Sequence, residues 1–138
     1  VNGLNAFNER VLSEKSDLMI LGYGMNDRGT PLEQYKQMVA DMVARFKEFN
    51  PDGEVVLIAP MLPNVETDWL KHQPLFAEKL YELEKEYPFV AVADMTQMHW
   101  DILATGKRYR DMTGNNINHP NDFMARIYAQ VILKTLLG

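Results

Sequence analysis

The apolar residues of this chain follow two rhythms. Leu32, Tyr35, Met38, Val39, Met42, Val43, Phe46 and Phe49 recur at three- and four-residue steps, which draws one stripe along a helix. Thr30, Pro31 and Glu33 stand ahead of them in the register of N-cap, first-turn proline and capping-box acid. Asn50-Pro51-Asp52-Gly53 then stops the helix and turns the chain. Leu4, Phe7 and Val11 predict a first helix over about 5–14, and further helices are predicted over about 73–87, 95–104 and 122–137. Asn121 is placed to cap the last of these. Between the helices lie continuous apolar runs, about 17–23, 54–59 and 89–93, each too short for a helix. Such runs mark parallel strands buried on both faces.

Strands that alternate with amphipathic helices imply right-handed βαβ crossovers and a parallel sheet covered on both sides. No repeat or low-complexity linker divides the chain, so residues 1–138 read as a single α/β domain. Ligand sites in such folds lie at the carboxyl ends of the strands. Four loops therefore carry the interest: those beginning at Gly22, Ala59 and Ala93, and the long loop before the last helix.

Composition narrows the choice of function. The formal net charge is -5 with no Lys/Arg cluster, which disfavours nucleic-acid binding. No apolar run reaches the length of a membrane span, and no signal-peptide pattern opens the chain. With no cysteine, disulfides, thiolate zinc sites and cysteine nucleophiles are excluded together, although the compartment stays open. No His or carboxylate pair has metal-ligand spacing, and no cofactor motif is present. His72, opening a helix, reads as solvated, and His99, beside Trp100, as a packing residue.

Two loops carry candidate chemistry. The first reads Gly22-Tyr23-Gly24-Met25-Asn26-Asp27 and follows a buried strand; the second, Gly114 to Asp122, contains His119-Pro120 just before the last helix. Taken singly, each is ordinary turn chemistry. Together and in this order, they resemble the SGNH or GDSL hydrolases, a family of serine esterases and lipases. The Gly-x-Asn-Asp block is matched by Gly24, Met25, Asn26 and Asp27, and the Asp-x-x-His-Pro block at His119 and Pro120. The strand ends at Ala59-Pro60 and Val92-Ala93-Asp94 fit the same plan, so the resemblance runs through essentially the whole chain.

The resemblance implies a flavodoxin-like three-layer α/β/α fold and ester cleavage by a Ser-His-Asp triad. It makes Asn26 an oxyanion donor, with Gly24 beside it at the substrate, and His119 the base that takes the serine proton and returns it to the leaving alcohol. Asp27 would hold its loop through backbone N–H groups. Small-acyl or carbohydrate esters are the implied substrates.

Two departures from the pattern matter. The family's aspartate lies three residues before the histidine, and that position here is Asn116. A neutral amide cannot stabilise imidazolium with charge. His119 would then be oriented by Asn116, by Asp111 or Asp122, or by a backbone carbonyl. The nucleophile is the larger departure. Ser13 and Ser16 are the only serines, and both precede the strand at 17–23, at the end away from the site. The block whose glycine supplies a second oxyanion N–H is not identifiable either, Gly3 being a poor candidate.

The chain begins at Val1, and its 17–23 run has no proline, lysine or inward charge to protect a free edge. The expectation is therefore the C-terminal part of a larger hydrolase domain with its N-terminal strand or strands missing. The edge would be covered by the absent segment, a second chain or a rearranged 1–16 stretch. A signal in that absent segment would direct the protein to the periplasm or outside the cell. Alone, the chain should be inactive. The alternative is a non-catalytic α/β domain that keeps the scaffold for binding.

Overall fold

The computed structural model describes residues 7, 11–27 and 29–138. Half of the predicted 5–14 helix, and Gly3, lie outside these residues. Within them Phe7 is buried, and the Val11 N–H donates to its carbonyl at 2.9 Å before a 3-10 turn at Leu12–Glu14.

Three strands, β1 (Leu18–Gly22), β2 (Glu54–Ala59) and β3 (Val90–Asp94), form one parallel sheet in the order β1-β2-β3. Its register pairs Leu18 with Glu54 and Val55 with Val90. Four α-helices are described: α1 (Leu32–Phe49), α2 (Phe76–Glu86), α3 (Met95–Ala104) and α4 (Asp122–Leu137). The strand period of two divides β2 between two cores. Val55, Leu57 and Ala59 pack with the α1 and α2 stripes, including Tyr35, Val39, Phe46, Phe76 and Leu80. Val56 and Ile58 face the other way, toward Met61, Met95, Met124 and Val131. The result is the three-layer α/β/α arrangement that the alternation predicts.

Three local expectations are corrected. Thr30 does not cap α1; Pro31 is the N-cap residue without a side-chain bond, and Glu33 pairs with Lys79 of α2 at 2.6 Å. A partner on the neighbouring helix has drawn the acid from its own helix end. His72 is not solvated: its Nε2 lies 2.8 Å from the Thr30 carbonyl and its ring meets the Phe76 ring edge-on. Finally, β1 is covered on one face only. Met19 and Leu21 are buried, whereas Ile20 is 46% exposed, because α3 and α4 pack over β2 and β3 on that side. Among the described residues β1 is an edge strand, paired with β2 alone. The opposite edge is guarded, since a Glu84 carboxylate oxygen accepts from the Val92 N–H at 2.8 Å.

Beyond β2 the backbone leaves the sheet while still buried, so its polar groups need other partners. Side chains supply them. Thr96 Oγ1 donates to the Pro60 carbonyl at 2.7 Å, and the Met61 N–H donates to the Tyr128 hydroxyl at 3.0 Å. The Met61–Leu62 peptide is held from both sides: Gln73 Nε2 donates to its carbonyl at 3.1 Å, and its N–H donates to His99 Nδ1 at 3.2 Å. The Leu62 carbonyl accepts from the Tyr109 hydroxyl at 3.0 Å, with the Tyr109 ring stacked on His99. His99 is thus the packing residue its sequence context suggests, and also an acceptor that works only when neutral.

Burial lowers the His99 pKa to about 4. An unfolded chain binds that proton near pH 6.5 and the folded one does not, so stability is full above pH 6.5 and falls as the pH drops toward 4. The loss should reach at most roughly 3 kcal/mol. Urea denaturation of the protein and of His99→Gln between pH 7 and pH 4 measures it. The expected result is a steeper decline for the wild type, and parallel declines would contradict this role for His99.

Candidate active site

The loop leaving β1 is shaped by close packing. Gly24 has φ +112°, and a Cβ there would lie 3.1 Å from Phe76 and 3.2 Å from Pro60, so only glycine fits without strain. The Tyr35 hydroxyl donates to the Tyr23 carbonyl at 3.2 Å, while the Tyr35 ring stacks on Phe76 at 4.0 Å. Asp27 ties the turn, its Oδ2 accepting from the Gly24 N–H at 3.2 Å. Gly24 is buried with that N–H already used, and so offers a substrate no donor. Asn26, two residues on, is exposed.

The loop before α4 closes like a hairpin. The Gly114 N–H donates to the His119 carbonyl at 2.9 Å, and the Asn121 N–H to the Met112 carbonyl at 3.1 Å. Asn115 folds its interior: one side-chain oxygen accepts from the N–H groups of Ile117, Asn118 and His119, each at 3.0 Å. Asn116 sits at φ 55°, a left-handed conformation that asparagine tolerates. The β2 loop braces the same segment. Asn64 donates through its backbone N–H to the Ile117 carbonyl and through Nδ2 to the Asn116 carbonyl, both at 2.9 Å. Tyr109 reaches the Ile117 carbonyl at 2.8 Å.

Asn118 joins the two loops. It is 5% exposed, and its Nδ2 donates to the Met25 carbonyl and to Asn26 Oδ1, both at 3.3 Å. His119, next in sequence, has an exposed side chain. The loops carrying Asn26 and His119 are therefore in direct contact at the carboxyl end of the sheet. Sequence reasoning missed Asn115 and Asn118, because nothing distinguishes them from the other asparagines of a turn-rich loop.

The remaining candidates take other positions. Asp111 is bound to Arg108 at 2.9 Å, which together with nearby cations holds its carboxyl below the usual range. Its backbone carbonyl accepts from Asn121 Nδ2 at 2.9 Å. Asn121 Oδ1 caps α4 by accepting from the Met124 N–H at 3.2 Å, as its position predicts, and Asp122 is the first residue of that helix. Ser13 and Ser16 precede β1 at its amino end, opposite Asn26. A groove of about 550 Å³ beside the second loop is lined by Asn64, Glu66, Arg108, Arg110 and Asn116 among others. Among the described residues no cluster of His, Asp or Glu could hold a metal ion, and no helix is long and apolar enough to cross a membrane.

No protein-family model matches the sequence, and no curated protein matches it. Solved structures do match. An acetyl-xylooligosaccharide esterase of Geobacillus stearothermophilus aligns over 99% of this chain and 67% of its own, with a TM-score of 0.85 at 16% identity. A catalytic histidine-to-alanine mutant of an acetylxylan esterase from that organism aligns over the same shares, with a TM-score of 0.86 at 15% identity. The corresponding aspartate-to-alanine mutant matches with a TM-score of 0.85 at 16% identity over 99% and 67% of the two chains. The chain thus spans about two-thirds of the length of the structures it matches. At this identity the likeness is one of architecture, and it shows that the chain has the α/β fold of the SGNH-type hydrolases.

Proposed function

We propose that this chain carries the histidine and oxyanion-binding part of a serine esterase acting on small-acyl or carbohydrate esters, with the nucleophilic serine on a segment outside it. The observation that carries this reading is the direct contact of the Asn26 and His119 loops through Asn118. Two remote blocks with no shared sequence meet at the end of the sheet where α/β folds bind ligands. The catalytic mutants among the matched esterases support it, because they replace a serine, an aspartate and, three positions after that aspartate, a histidine. Asn116 and His119 have the same spacing. The polar groove beside Asn116 suits a sugar, whose hydroxyls both donate and accept.

In this reading serine Oγ attacks the ester carbonyl while His119 takes its proton. The electron pair moves onto the carbonyl oxygen, where the Asn26 amide donates to the developing charge. Collapse of the tetrahedral species expels the alcohol, which recovers the proton from His119, and water then releases the acyl group by the same steps. The exposed edge of β1 is where a serine-bearing strand would pair, since a fourth parallel strand would place its carboxyl end beside Asn26.

Two observations favour a second reading. Asn116 stands where a triad needs an acid, and Asp111 is engaged by Arg108. A domain keeping the scaffold for binding alone would show both features.

The chain by itself is expected not to turn over an activated acetyl ester. Turnover abolished by a fluorophosphonate probe and by Ser16→Ala would contradict this. Expressed with its upstream coding sequence, the protein should label with the probe and hydrolyse acetylated xylo-oligosaccharide. Asn26→Ala should then lower kcat by about 10²–10³. His119→Ala should remove nearly all activity. Absence of labelling and turnover in that longer protein would favour the binding scaffold.

A further inference from the structure

We infer that Asn118 is a positioning residue that sets which way the Asn26 amide faces, turning its NH2 group outward, away from Asn118. The inference deepens the esterase reading and rests on it for the use made of that NH2. Its geometry does not depend on catalysis.

An asparagine amide has one accepting and one donating end of nearly equal shape, so its direction must come from its partners. Here backbone groups that cannot reverse fix both ends of a three-asparagine relay. At one end the N–H groups of Ile117, Asn118 and His119 all point at Asn115, which must present its oxygen to them. Asn115 Nδ2 is thereby turned outward and donates to Asn118 Oδ1 at 3.3 Å. At the other end the Met25 carbonyl only accepts, so the facing atom of Asn118 must be Nδ2. Both ends demand the same orientation of Asn118. Its second Nδ2 proton then points at Asn26, which must answer with Oδ1. The Asn26 NH2 group is left on the far side, without a hydrogen-bond partner among the described residues, on a side chain that is exposed.

This arrangement matters for an oxyanion donor. If the amide were free to rotate, half of its orientations would present oxygen to a developing negative charge. Orientation set before the reaction costs nothing during it. Asn118 is buried and its amide is fully engaged, so it is well placed to impose that choice.

Solvent exchange of the side-chain amide protons in the 15N-labelled chain tests the inference. The Asn118 Nδ2 protons should exchange about tenfold more slowly than those of Asn26, the factor that an ordinary net hydrogen bond supplies. Asn118→Asp keeps the shape and the acceptor for Asn115 but removes both donors. The new carboxylate should draw the Asn26 NH2 to itself, so that the Asn26 amide protons become the protected pair while the backbone spectrum is otherwise retained. Asn26 exchange unchanged by Asn118→Asp would overturn the inference. Protected Asn26 and unprotected Asn118 protons in the wild type would overturn it even if the variant failed to fold. An Asn26→Ala protein that kept its esterase activity would refute the catalytic reading and leave these rates as they are.

Discussion

A buried backbone that has left its sheet must still satisfy every N–H and C=O, and the carboxyl end of this domain is organised by that requirement. The strands end at Gly22, Ala59 and Asp94, and beyond them no ladder is available. Five side chains answer for the β2 loop alone: Gln73, Thr96, His99, Tyr109 and Tyr128. Asn115 does the same for the loop before α4, and Asn118 for the Met25 carbonyl in the loop after β1. A partly satisfied network in low dielectric is costly, and a complete one is rigid. The hydrogen bonds that keep these loops folded are thus also the ones that position the candidate site.

Two buried atoms lie outside this accounting. His99 Nε2 and Gln73 Oε1 have no hydrogen-bond partner among the described residues. Both side chains use their other polar atom on the Met61–Leu62 peptide, which indicates that holding this peptide outweighs the cost of one unsatisfied atom on each. The peptide leads directly to Asn64, which braces the Asn116–Ile117 segment. Support therefore runs from the core, through a turn with no sheet partner, to the loop that bears His119.

The sheet and all four described α-helices were legible in the sequence because burial repeats along an element. A stripe such as Tyr35, Val39, Met42, Val43 and Phe46, or a run such as Val55 to Ala59, needs no knowledge of its partner. What depends on a partner was not legible. Thr30 had the right neighbours for a cap, but Glu33 found Lys79 on another helix. Ile20 reads as buried in an apolar run, and the layer above it does not extend that far. The site divides in the same way. The candidate residues, Asn26 and His119, stand in short blocks with fixed spacing. Asn118, which joins their two loops, and Tyr109, which joins the β2 loop to the loop before α4, act across 92 and 47 residues of chain and leave no local mark.

The central claim is that the Asn26 amide and the His119 imidazole serve one reacting carbon, and a covalent adduct examines it most directly. A crystal structure of a longer form of the protein that carries the proposed serine, after reaction with a phosphonate, would show where the phosphoryl oxygen lies. The account requires that oxygen at about 3 Å from Asn26 Nδ2, with His119 at a similar distance from the serine oxygen. A phosphoryl oxygen held by other donors, with Asn26 or His119 turned away from the adduct, would contradict it.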